Sequence, residues 1–104
     1  MTDKELLMLA AKAADIKVKG FYEDEDTLAI KPGPGMPTAR WNPLTNDGDA
    51  LRLAVRCAQL FGFYRFLRAW LVAMATENGN PADPYAATRR AIVRAAAELG
   101  RSMA

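Results

Sequence analysis

Between Asp3 and Ala14 the chain sets Leu6, Leu7, Ala10, Ala13 and Ala14 at intervals that gather side chains on one face of a helix. Thr2, followed by Glu5 three residues later, supplies a capping box in front of it. The period then changes. IKVKGFY (16–22) alternates and carries β-branched Ile16 and Val18, the acidic run EDED (23–26) supplies a turn, and TLAIK (27–31) returns, so a hairpin is expected. PGPGMP (32–37) can continue neither element, because proline lacks the N–H that both need, and it reads as a loop leading to Arg40 and Trp41.

A second helix follows WNPLT, with Thr45 or Asn46 as cap and with Asp47 and Asp49 where the positive end of the helix dipole favours carboxylates. Leu51, Ala54, Val55 and Ala58 recur along it at helical spacing. From Gln59 to Thr76 the pattern supports two readings: a continued helix, or two aromatic and β-branched strands joined near Leu67 and Arg68. The last helix is well marked, with Asp83 as cap, Pro84 at the first helical position and Gly100 near the end.

Three stretches, MTDKELLMLAAKAA, WNPLTNDGDALRLAV and DPYAATRRAIVRAAAELGRSM, carry a resemblance that periodicity does not give. They resemble a family of small proteins of tailed bacteriophages and prophages described as a phage alpha-beta-alpha sandwich domain. The resemblance covers about two thirds of the chain, and Asp15 to Ala39 and Gln59 to Asn80 fall outside it. It implies a phage accessory protein, a layered fold and no reaction. Its helix, hairpin, helix, hairpin, helix order favours strands for Gln59 to Thr76. The expectation is therefore one α+β domain over residues 1–104, an antiparallel or mixed sheet packed by helices, with an all-α fold carrying one short hairpin as the alternative.

Composition narrows the functions open to such a domain. Half of the 104 residues are hydrophobic, which argues against disorder. No histidine is present and Cys57 is the single cysteine, so an internal disulfide, the usual zinc sites and histidine-based acid–base catalysis are all excluded. No basic leader or membrane-length apolar run is seen, and a cytoplasmic protein is expected. The net charge of +2 is unevenly spread: six basic and nine acidic groups in residues 1–49 give −3, and eight arginines against three acids thereafter give +5. That polarity suggests an anionic partner or an acidic protein surface.

Candidate chemistry is sparse. Glu23 to Asp26 could gather a hard cation, but neighbouring strand residues point to opposite faces, and solvation of a hairpin tip accounts for them. Dipole capping accounts for Asp47 and Asp49. Cys57, without a histidine partner, reads as a buried small hydrophobe. No metal, cofactor or catalytic residue is assigned, and the protein is expected not to be an enzyme. The candidate binding surface is Arg90, Arg94 and Arg101, facing outward on the last helix opposite Ile92, Ala95, Ala96 and Leu99, together with Arg65 and Arg68.

Two partners fit these arginines. An acidic host or phage protein, with interference in a host defence system as the biological outcome, is the leading expectation. Nucleic acid is the alternative, with Phe61, Phe63, Tyr64 and Phe66 interleaved among Arg65 and Arg68, and with Trp41 stacking on a base beside Arg40. Trp41, Asp83 and Arg89 are the structural signature, Arg89 having the option of bonding a loop carbonyl near Trp41 and pinning that loop to the last helix. A sheet edge could also support a homodimer.

Overall fold

A computed structural model describes residues 2–22, 27–77 and 83–103. The first helix, α1 (Asp3–Ala13), starts as its capping box requires, with the Glu5 N–H donating to Thr2 Oγ1 at 3.2 Å. It ends in a Schellman turn. The Ile16 N–H reaches back to the Ala11 carbonyl and the Asp15 N–H to that of Lys12, with Asp15 at φ 55°. A short polar side chain tolerates this left-handed position better than a branched one.

The turn feeds β1 (Lys17–Phe21), which pairs antiparallel with β2 (Leu28–Lys31) through a bulge between Val18 and Gly20. The expected hairpin therefore forms, while its acidic tip, 23–26, lies outside the described residues. A third strand, β3 (Ala39–Trp41), pairs antiparallel with β2 and completes a meander of order β1-β2-β3. Three residues are too few for a period, so β3 is invisible to sequence patterning. The pairing sets Trp41 opposite Leu28, and both are buried.

Asn46 caps α2 (Asp47–Phe61), its Oδ1 accepting from the Asp49 N–H at 2.9 Å. Gly62 then breaks the chain at φ 92°, and α3 (Phe63–Glu77) begins immediately. Asp83 caps α4 (Pro84–Arg101), accepting from the Ala86 N–H at 3.0 Å, with Pro84 in the first turn.

The fold is α+β, and the described residues form four helices and one three-stranded antiparallel sheet. The second hairpin expected across Gln59 to Thr76 does not form. Leu67 and Arg68 supply neither the glycine nor the asparagine that a tight hairpin turn requires. Phe66, Ala69, Trp70 and Ala73, spaced three and four apart, instead turn inward as a helical stripe, and α3 packs on α4.

The layered sandwich implied by the phage resemblance is also not what forms. Instead of lying on a sheet, α4 lies among helices, packed most extensively on α1 and α3 and less on α2. Ala91 to Val93, Ala95 to Ala97, Leu99 and Gly100 are all buried, so α4 is covered almost all round. Alanines allow close approach, and Gly100 sets the limit: a Cβ there would collide with the Leu9 carbonyl of α1. The sheet joins this core through Leu28, Ile30 and Trp41. Its other face, with Lys17, Lys31 and Arg40, remains exposed.

Candidate functional site

The five arginines proposed as a surface stand on two helices in different settings. On α4, Arg90 turns toward α1, its Nη2 donating to Asp3 Oδ1 at 3.1 Å, which ties the two helices together. Arg94 and Arg101 share a small recess with Glu98 and Leu6, and Glu98 pairs with Arg101 at 3.7 Å. Along the C-terminal half of α4, past Arg90, the strip of Arg94, Glu98 and Arg101 is open to solvent, and a carboxylate lies within it. Arg65 and Arg68 are exposed on α3, with the Arg65 guanidinium 5.2 Å from the centre of the Phe61 ring.

The aromatic strand imagined for nucleic acid has no counterpart. In a helix, Tyr64 and Phe66 separate: Tyr64 is 85% exposed and Phe66 4%. Phe66 instead stacks on Trp70, with ring centres 6.3 Å apart. Trp41 is buried and cannot stack on a base without unpacking the core, and Arg40 lies over the Tyr22 ring at 4.2 Å.

What sequence reading missed lies between α2 and α3. The apolar stripe of Leu51, Ala54, Val55 and Ala58 does not face the core: Leu51 is 65% exposed, whereas Leu53 is 1% exposed and packs inward with Ala50 and Cys57. Ala54, Val55 and Ala58 form one wall of a groove of about 390 Å³ whose other wall is Phe63, Phe66, Leu67 and Trp70 of α3. Gln59 supplies the one polar side chain of this lining. The indole N–H of Trp70, buried in the wall, has no acceptor among the described residues. Of the twelve large hydrophobic residues that stand exposed among the described residues, seven belong to α2 and α3: Leu51, Val55, Leu60, Phe63, Tyr64, Leu71 and Val72. So dense a concentration exceeds what scattered surface apolar residues explain. From Ala50 to Thr76 the chain has four arginines and no acid.

The signature residues build the scaffold behind this hairpin. Arg89 donates from Nε to the Leu44 carbonyl at 2.9 Å and from Nη1 to Asp47 Oδ1 at 2.7 Å, fixing the loop that enters α2. The bonded carbonyl is three residues beyond Trp41. Asn42 N–H donates to Asp49 Oδ2 at 3.0 Å, while Asp49 Oδ1 accepts from Arg52 at 2.8 Å, so Asp49 holds both the loop and a side chain of its own helix. Cys57 is fully buried, and burial pushes its thiol up to about 11, far from a nucleophile's range.

Among the described residues no three His, Cys, Asp or Glu side chains gather as a metal site, and no helix is long and apolar enough to cross a membrane. Comparison of the chain with family models, with curated proteins and with solved structures finds no match.

Proposed function

We propose that this protein is a nonenzymatic protein-binding module whose groove between α2 and α3 receives an acidic amphipathic helix of its partner. The observation that carries the proposal is the apolar groove, whose walls leave Val55 and Phe63 exposed, on a hairpin whose only charged side chains from Ala50 to Thr76 are arginines. A helix with apolar anchors at i, i+3, i+4 and i+7 matches such a groove, and carboxylates on it would be drawn by the positive charge of the hairpin, of which Arg65 and Arg68 stand exposed on α3. Charge argues against a second copy. A twofold interface presses one patch against itself, which would set arginine-bearing, acid-free faces against each other. Among the arginines first singled out, Arg65 and Arg68 are thus assigned to the docking face, and Arg94 and Arg101 to a secondary acidic contact. A phage accessory protein acting in the host cytoplasm, capturing a component of a host defence system, is the setting that the sequence resemblance supports.

The test is binding of a synthetic acidic helical peptide with Leu and Phe anchors, followed by Trp70 fluorescence and calorimetry. Saturable binding that weakens with salt, is lost in Val55→Asp and drops about tenfold in Arg68→Glu is expected. Equal binding of a basic peptide with the same apolar face, or sedimentation as a dimer closed through the groove, would refute the acidic-partner reading.

A further inference from the structure

On the opposite side of α2 from the groove, a cleft of about 560 Å³ opens between the helix and the sheet. Its apolar lining includes Ile16, Ile30 and Trp41, and four cations line it: Lys31, Arg40, Arg52 and Arg56. Two carboxylates also line it, Asp15 and Asp49. Asp49 is already engaged by the Asn42 N–H and the Arg52 guanidinium. Positive charge therefore outweighs negative, and two of the cations are held in place: Arg52 by Asp49, and Arg56 by its Nε bond to the Ala14 carbonyl at 3.2 Å. Each of these bonds uses one side of its guanidinium and leaves further N–H groups for a ligand.

The cleft's size falls within the range of small-ligand sites, and an apolar surface beside several cations suits a molecule with a planar body and an anionic group.

We infer that this cleft binds a nucleoside phosphate, its base against Ile16 and Ile30 and its phosphate against Arg52, Arg56 and Lys31. Asp15, exposed at the cleft edge, is the acceptor for a hydroxyl or amino group of the nucleoside. The phosphate can belong to a free nucleotide or to the end of a single strand. This site is separate from the groove, so the two proposals can fail independently.

Calorimetric titration of the full chain at low salt with AMP, a short single-stranded oligonucleotide and inorganic phosphate tests it. Saturable binding of AMP is expected, weakened about tenfold or more in Arg56→Gln and in Lys31→Glu, with Val55→Asp binding as the parent does. AMP and oligonucleotide binding alike assign a free nucleotide or strand end; oligonucleotide binding alone assigns a strand. Inorganic phosphate binding as tightly as AMP would overturn the nucleoside assignment. No binding by AMP or oligonucleotide, or unchanged affinity in both charge variants, would overturn the site. Thermal melting verifies that each variant folds, and should Arg56→Gln not fold, exposed Lys31→Glu and Arg52→Gln carry the test.

Discussion

Cys57 sits on the inward face of α2 with its thiol pushed from 9.0 to about 11 by burial, and both its reactivity and a pH dependence follow from that. The unfolded chain loses this proton near its ordinary value while the folded chain keeps it. Its contribution to stability is therefore complete below pH 9 and is lost as pH rises from 9 to about 11, by an amount on the order of 2 kcal/mol. Denaturant titrations compared between the parent and Cys57→Ala should show the parent losing more stability across that interval, and a thiol reagent at neutral pH should label the parent only after unfolding. Arg89 offers a second residue-scale test. Its side chain is 17% exposed and bridges the Leu44 carbonyl to Asp47. Arg89→Ala should cost about 1–3 kcal/mol, because the carbonyl and the loop it anchors lose a charged donor. Urea unfolding measures this, and Arg89→Lys should recover only part, since one ammonium cannot span both acceptors in the guanidinium's fixed fork. This bond was legible in outline: an arginine at the apolar boundary of a capped helix has few places to turn. Its partner was not, because Leu44 is 45 residues away.

At the scale of elements, Gly100 and two leucines of α2 decide how the helices pack. The sequence marks Gly100 as a helix end, yet α4 runs one residue beyond it, and its absent side chain lets α1 approach. Gly100→Ala should cost about 1–3 kcal/mol, since the obstacle is backbone at Leu9 and not a side chain that can rotate away. Differential scanning calorimetry should show a fall of roughly 4 °C or more. Leu51 and Leu53 differ by two positions and by nearly their whole exposure. Leu53→Ala should therefore cost about 2–5 kcal/mol by leaving a cavity. Leu51→Ala should stay within about 0.5 kcal/mol while weakening the acidic peptide, since a surface change spares the core. If both leucines proved equally costly, the groove assignment would be wrong. Caps were the readable part of α1, α2 and α4, because a cap is a bond within three residues. The inward face of α2 was not readable. Its apolar arc spans both the Ala50, Leu53 and Cys57 row and the Leu51, Val55 and Ala58 row, and periodicity does not say which row meets the core.

At the scale of the whole molecule, α1, α2 and α3 gather round α4 and the sheet flanks them, within a Cα radius of gyration of 13.0 Å. An acid-free α2–α3 face between Ala50 and Thr76 should keep the free chain monomeric, and light scattering after gel filtration should return 11.4 kDa. An apolar-sensing dye should bind the folded monomer and lose most of its signal in Val55→Asp, because the groove is the principal exposed apolar concavity between α2 and α3. Charge polarity along the chain was legible from composition, but its meaning changed on folding: Arg90 is paired with Asp3 of the acidic half, while Arg52 and Arg56 meet Lys31 and Arg40 of that same half at one cleft. By itself the sequence determined the starts of α1, α2 and α4, the first hairpin, the absence of histidine and disulfide chemistry, and the burial of its one thiol, because these depend on near neighbours and residue type. Only the tertiary structure decided that 63–77 is a helix, that β3 exists, and which apolar rows remain facing water, because each is settled by contacts between residues far apart in the chain.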